Sequence, residues 1–251
     1  MQKRRSENGT RASRALFHTA AVEPWSLCRN RYSLRNLMTD PSEHWQSVYK
    51  NKAPEEVSWF QTEPHLSYKL IASAAPSRDA RIADIGGGAS TLVDTLIAKG
   101  YTNVAVLDLA PAALHRAQAR LGADAWRADW LAADVLTVTF PPESIDVWHD
   151  RAVFHFLTRP EDRDRYVEQV KRAVRPGGHV LVATFAEDGP TRCSGLPVAR
   201  YSSEQLHGTF GLGFVLEKSA REDHTTPSGA HQAFTYCLCR WEPDHSGRVV
   251  A

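Results

Sequence analysis

Between residues 80 and 185 the chain alternates two hydrophobic rhythms. Short apolar runs at 81–85, 104–108, 130–135, 144–150 and 179–185 have the length and composition of buried strands. The stretches between them carry apolar residues at helical spacing. Leu92, Leu96 and Ile97 recur along 91–99, with Gly100 as a stop, and 112–121 is opened by Pro111 and ended by Gly122. Along 161–174, Tyr166, Val167, Val170 and Val174 fall on one face. A helix is predicted at 65–75, before the first strand, and a short one at 203–209. Two longer strands, 214–224 and 232–241, close the pattern. Strands alternating with helices predict a parallel sheet covered on both faces, and two successive final strands predict an antiparallel hairpin. The expected fold is a doubly wound, mostly parallel α/β sheet of seven strands.

Length and composition narrow the reading. The 251 residues suit one α/β domain with appendages, and 42% apolar residues suffice for a sizeable core. A net charge of +1 gives no reason to expect nucleic acid or an anionic membrane as partner. No apolar run approaches the roughly 20 residues of a membrane span. Cys28, Cys193, Cys237 and Cys239 lack the spacing of a metal-ligand array, so no metal is expected. Free thiols in a reducing cytoplasm are the expectation for them.

The domain is expected over 41–242, with a flexible tail at 243–251. Residues 1–40 carry Lys3, Arg4, Arg5, Arg11, Arg14, Arg29, Arg31 and Arg35 against only Glu7 and Glu23 before Asp40. A disordered extension, or a start assigned upstream of Met38, is preferred to a targeting segment because no clear amphipathic helix is present.

The chemistry concentrates at Asp84-Ile85-Gly86-Gly87-Gly88, where the first strand breaks into three glycines before a helix. Such a turn lets a ligand lie against bare backbone. Asp108, about 20 residues beyond the first glycine, ends the second strand where a carboxylate receives ribose hydroxyls. A dinucleotide fingerprint wants a small residue where Thr91 stands, and Asp84 would repel a pyrophosphate. Asp84 suits a cationic cofactor with an amino-acid end.

Asp84-Ile-Gly86-Gly-Gly88 with Asp108 beyond it resembles the first two motifs of class I S-adenosylmethionine-dependent methyltransferases. The Arg175-Pro176-Gly177-Gly178 turn before an apolar strand is similar to a frequent feature of that class. The resemblance covers roughly residues 41–242 and implies a Rossmann-like fold with S-adenosylmethionine as cofactor. It implies that Asp84, Gly86, Gly87 and Gly88 cradle the cofactor, that Asp108 and Leu109 meet its ribose, and that Asp134 with Val135 meets the adenine. Asp129 is the alternative to Asp134.

At the fourth strand's end, His149-Asp150-Arg151-Ala152, with Pro160-Glu161-Asp162-Arg163 and Tyr166, resembles thiopurine methyltransferase-like enzymes. Trp45 and the Phe60-Gln61 pair are similar to the flap of that group. Asp150-Arg151 with Phe154 also resembles a motif of seven-strand lysine methyltransferases. The glycine turn departs from the thiopurine enzymes' version, so both acceptors stay open. A small molecule, such as a thiol or another heteroatom compound, is preferred and a protein lysine is the alternative. An NAD(P)-dependent oxidoreductase or a non-catalytic nucleoside-binding protein are the readings of another class.

Asp150 is expected to orient the acceptor or hold the cofactor's amino end, His149 or His155 to relay a proton, and Arg151 to hold an anionic acceptor or to support Asp150. Trp59, Phe60, Gln61 and His155 are the expected substrate-side residues. Asp150→Asn is accordingly expected to slow transfer more than it weakens folding.

Overall fold

The computed structural model describes residues 29–30 and 41–243. The expectations for residues 1–40 and for the tail beyond 243 lie outside the described residues, except that Arg29–Asn30 pair with Val138–Thr139.

Seven strands form the central sheet: β1 (Arg81–Ile85), β2 (Asn103–Asp108), β3 (Ala128–Ala132), β4 (Ile145–Arg151), β5 (Val174–Phe185), β6 (Phe214–Thr225) and β7 (His231–Trp241). Their order across the sheet is β6-β7-β5-β4-β1-β2-β3. β1 to β5 run parallel, and β6 and β7 form the antiparallel hairpin beside β5. This is the Rossmann-like architecture that the alternating pattern predicts.

Among the described residues, six α-helices accompany the sheet: α1 (Pro41–Asn51), α2 (His65–Ala74), α3 (Leu92–Ala98), α4 (Pro111–Leu121), α5 (Pro160–Ala173) and α6 (Ser203–Phe210). Strand side chains alternate between the two faces. Ile82, Val104, Val106 and Val147 pack with Leu70 and Ile71 of α2, Leu92 and Leu96 of α3 and Leu114 of α4. Ala83, Ile85, Ala105 and Trp148 pack instead with Tyr166 and Val170 of α5 and Phe210 of α6. A sheet buried on both faces needs continuous apolar strands rather than alternating ones, and Val104 to Leu107 of β2 meet that need.

Two boundaries differ from the sequence reading. The strand expected at 130–135 is β3, Ala128–Ala132, displaced toward the amino end. The apolar run carries on to Ala133, whose N–H still donates to the Asp108 carbonyl at 3.0 Å, and the chain turns at the next residue. Asp134 Oδ1 accepts the Leu136 N–H at 2.8 Å, and its carbonyl accepts from the amides of Thr137 and Val138. Asp134 therefore opens a turn just past β3 instead of ending the strand. The Arg175–Gly178 turn lies within β5, at a register shift opposite β4, with Gly177 at φ +75°.

Candidate functional site

The carboxyl ends of β1, β2 and β4 meet at one crevice, where ligands bind in sheets of this topology. β1 ends at Ile85 and the chain turns through Gly86 (φ +68°) and Gly88 (φ +42°). The Gly86 and Gly87 amides donate to the Leu107 carbonyl at 2.7 and 3.2 Å, which folds the turn over the end of β2. A β-carbon on Gly88 would stand 2.5 Å from Asp108 Oδ2, and one on Gly87 would collide with the Asp84 carboxylate. The turn is thus wedged between the two acids that the sequence singles out.

Asp84 and His149 are register partners on neighbouring strands and point to the same face. Asp84 Oδ1 lies 2.7 Å from His149 Nδ1, and His149 Nε2 lies 3.0 Å from Ser67 Oγ on α2. All three side chains are buried. Asp84 Oδ2 is buried as well and has no hydrogen-bond partner. Asp84 borders a narrow hollow lined also by Trp59, Gln61, Ser67, Gly86, Gly87, Ser90, His149 and Arg151, among others. An unsatisfied buried carboxylate oxygen is costly, and an ammonium placed in that hollow would satisfy it. Ser67 gives no signal in the sequence: it is one more serine on a helix, and only the α2 packing brings it to His149.

On the other side of Gly86 lies a cavity of about 360 Å³. Its lining includes Asp108, Leu109, Asp134 and Val135, with Trp45, Tyr49, Trp59, Arg151, Val153 and Phe156 around them. Asp108 is buried, and its Oδ1 accepts the Ala110 N–H at 2.7 Å. Burial pushes its pKa up to about 7; the Ala110 N–H moderates the rise and Asp84 adds to it. Burial, with Asp108 nearby, also raises the Tyr49 phenol far above its ordinary value, so it keeps its proton. Asp129 lies within β3 opposite Ala105, away from the strand's carboxyl end, whereas Asp134 lines the cavity.

The flap before β1 roofs both spaces. Trp45 of α1 makes edge contacts with Trp59 (5.7 Å between centroids) and Phe156 (5.1 Å). Gln46 accepts the Ala112 N–H at 3.0 Å, which ties α1 to the start of α4. Trp59, Phe60 and Gln61 border the hollow, and Trp59 also borders the cavity.

Strand alternation separates the residues crowded at the end of β4. His149 and Arg151 face α2 and the flap, while Asp150 faces α5. Its carboxylate accepts the amides of Val153 (2.9 Å) and Phe154 (3.1 Å) and the Tyr166 hydroxyl (2.6 Å), and it lines neither space. Asp150 therefore fixes the tight turn after β4, in which Ala152 takes φ +75°. Burial raises its pKa to about 6, against the pull of Tyr166 and the two amides.

Arg151 does not pair with Asp150. Its guanidinium donates to the Tyr236 hydroxyl (2.8 Å), the Trp59 carbonyl (3.1 Å) and Glu222 Oε2 (3.1 Å), over the Phe234 ring. Gln61 donates to Glu222 Oε1 at 2.9 Å, so this network ties the flap to the β6–β7 hairpin. His155 is fully buried between Phe156 and Phe185, has no partner on either ring nitrogen and lines neither space. Burial, with Arg151 nearby, lowers its pKa to about 3. The proton relay and substrate contact expected of His155 find no opening in this geometry. Among the described residues there is no cluster of three or more His, Cys, Asp or Glu placed to hold a metal. No described helix is long and apolar enough to cross a membrane.

Residues 82–178 match a family model described as a methyltransferase domain. The chain is 24% identical over 208 residues to the tRNA U34 carboxymethyltransferase of Chromohalobacter salexigens, a match covering 80% of this chain but only 56% of that relative. It is 25% identical to EEF1A lysine methyltransferase 4 of Mus musculus over 77% of each chain. The fold resembles that of the N-methyltransferase NodS from Bradyrhizobium japonicum WM9, solved with S-adenosyl-L-homocysteine. The TM-score is 0.60 at 16% identity, covering 82% of this chain and 100% of that one. These proteins differ in the acceptors their names print.

Proposed function

We propose, for a chain that carries a class I S-adenosylmethionine-dependent methyltransferase domain, that it transfers the methyl group to a small-molecule acceptor, a thiol or another heteroatom compound. The observation carrying this reading is the glycine turn held between a buried carboxylate with an unsatisfied oxygen, Asp84, and a second buried carboxylate, Asp108. The bound cofactor supplies an activated methyl on a sulfonium.

Asp84 holds the ammonium end in the narrow hollow. Asp108 accepts the ribose hydroxyls, and Asp134 with the Val135 amide meets the adenine in the larger cavity. Trp59, Gly86 and Arg151 border both spaces and mark where the reacting atoms meet. Displacement at a methyl group depends chiefly on alignment, which the Trp45–Trp59–Phe156 cluster imposes on an acceptor. Leu157, Leu196 and Pro197 continue an apolar wall that suits a small, largely apolar acceptor. Of the nearby bases, His149 is engaged by Asp84 and Ser67, and Asp150 is turned to the other face. This favours an acceptor whose reacting atom already carries a free lone pair.

Calorimetric titration tests the cofactor: S-adenosylhomocysteine is expected to bind and NAD is not, and tight binding of NAD alone would refute the reading. Incubation with methyl-labelled cofactor and fractionated cell extract tests the acceptor. Label is expected in the small-molecule fraction; label confined to protein would favour a lysine acceptor.

The hydrogen bonds of Asp150 support a structural role in place of the expected one. Asp150→Ala leaves two amides and the Tyr166 hydroxyl buried without an acceptor, at a cost of about 2–4 kcal/mol. The drop is expected in denaturant titration, with the folded variant still binding S-adenosylhomocysteine like the parent. Lost binding at unchanged stability would restore Asp150 to the site.

A further inference from the structure

We infer that Ser67 and His149 are positioning residues that aim the free oxygen of Asp84 at the amino end of the cofactor; this rests on the proposed methyltransferase reading. A carboxylate at the end of a buried strand has two oxygens and a rotatable terminal torsion, so nothing in the strand itself decides which oxygen faces the ligand. His149 decides it. Its Nδ1 engages Oδ1 at 2.7 Å, which leaves Oδ2 buried, without a partner and against Gly87, which with Asp84 lines the hollow.

The imidazole has one rotatable ring of its own, and Ser67 fixes it from the opposite side. The Ser67 hydroxyl stands 3.0 Å from Nε2 and comes from α2, an element that packs against β4 and β5. The Asp84 carboxylate can only accept, so Nδ1 carries a proton toward it, and the Ser67 hydroxyl complements Nε2. In that arrangement the ring orients the carboxylate. The pattern is that of an outer partner orienting an inner one, in which small displacements of the inner group weaken binding.

This assigns Ser67 a function that its position on a helix does not announce, and gives His149 an orienting role in place of proton transfer. It also separates the two halves of the ligand. The three residues serve the amino-acid end, while the nucleoside end depends on Asp108 and the larger cavity on the other side of Gly86.

The experiment titrates S-adenosylhomocysteine and 5′-methylthioadenosine, the same nucleoside with a methyl in place of the amino-acid arm, into the full chain by calorimetry. His149→Leu is expected to weaken S-adenosylhomocysteine at least about tenfold, the change that loss of one buried charged hydrogen bond produces, and to leave methylthioadenosine unchanged. Ser67→Ala is expected to give a smaller loss of the same selectivity. His149→Gln, whose amide can donate to Asp84 and accept from Ser67, is expected to restore most of the affinity. Equal weakening of both ligands by His149→Leu and Ser67→Ala would make the pair merely structural and overturn the inference. So would unchanged affinity for both. Failure of the parent protein to bind either ligand would refute the methyltransferase reading instead.

Discussion

Gly88→Val is expected to weaken S-adenosylhomocysteine at least about 100-fold, a loss near 2.7 kcal/mol, and to lower the melting temperature. Gly88 sits at φ +42°, where an L-residue costs roughly 1–2 kcal/mol and a β-branched one more. A β-carbon there would lie 2.5 Å from Asp108 Oδ2, 3.1 Å from the Tyr49 hydroxyl and 3.2 Å from the Ala113 β-carbon. The Ala113 contact cannot yield without moving α4, so Asp108 or the turn must shift. Either movement displaces a carboxylate that the ligand's ribose requires. Gly122→Ala supplies the contrast. Gly122 also has positive φ (+56°), but a β-carbon there meets nothing within 4 Å. That variant is expected to lose about 1 kcal/mol of stability and no affinity. Calorimetric titration of both variants makes the comparison. Parent-like affinity in Gly88→Val would mean that the ligand does not lie against this turn.

The contrast between these glycines bears on how much of the protein its sequence discloses. The order of strands and helices is legible because burial on both faces of a parallel sheet forces uninterrupted apolar runs such as Val104 to Leu107, and each helix between them keeps its own period. The terminal hairpin follows from two strands with no helix between them. Ala133 misleads at the edge of β3, because apolar character and one last bond to Asp108 persist past the paired residues, and the Asp134 turn then ends the run. Side-chain direction at strand ends is harder to read. His149, Asp150 and Arg151 are consecutive, so chemistry alone groups them, yet a pleated strand must send the middle one to the opposite face. Val147 and Trp148 of the same strand divide between the two cores in the same way. What no local pattern carries is register across strands. That Asp84 stands beside His149, that Ser67 reaches the ring from α2, and that Glu222 and Tyr236 engage Arg151 are all consequences of contacts between distant segments.

Asp108→Asn is expected to move stability and binding in opposite directions. The Asp108 carboxyl titrates ordinarily at 3.8 and is raised to about 7 by burial in the folded protein, with Asp84 adding repulsion. Between those two values the folded state holds a proton that the unfolded state has released, so stability falls as pH rises. The penalty is absent at or below about pH 4, grows through the interval and is fully present above pH 7. At about 1.4 kcal/mol per unit it reaches the order of 4 kcal/mol. An asparagine carries no such penalty. The ligand-free variant is therefore expected to melt several degrees above the parent at pH 8, since about 1 kcal/mol shifts Tm by roughly 2–4 °C at this size. The advantage should shrink toward pH 5. Binding responds the other way. Two ribose hydroxyls donate to a carboxylate, whereas an amide offers one acceptor oxygen and turns an N–H toward the other hydroxyl. Loss of one charged hydrogen bond corresponds to about 1.5–3 kcal/mol, or about tenfold to 100-fold in affinity for S-adenosylhomocysteine. Thermal melts at pH 5 and 8 with calorimetric titration at pH 8 measure both effects. A Tm difference independent of pH would show that Asp108 is not a strained buried charge. Unchanged affinity would show that the ribose lies elsewhere. If both expectations hold, the cavity keeps at Asp108 a charge that the empty protein would be more stable without, and binding is what that instability serves.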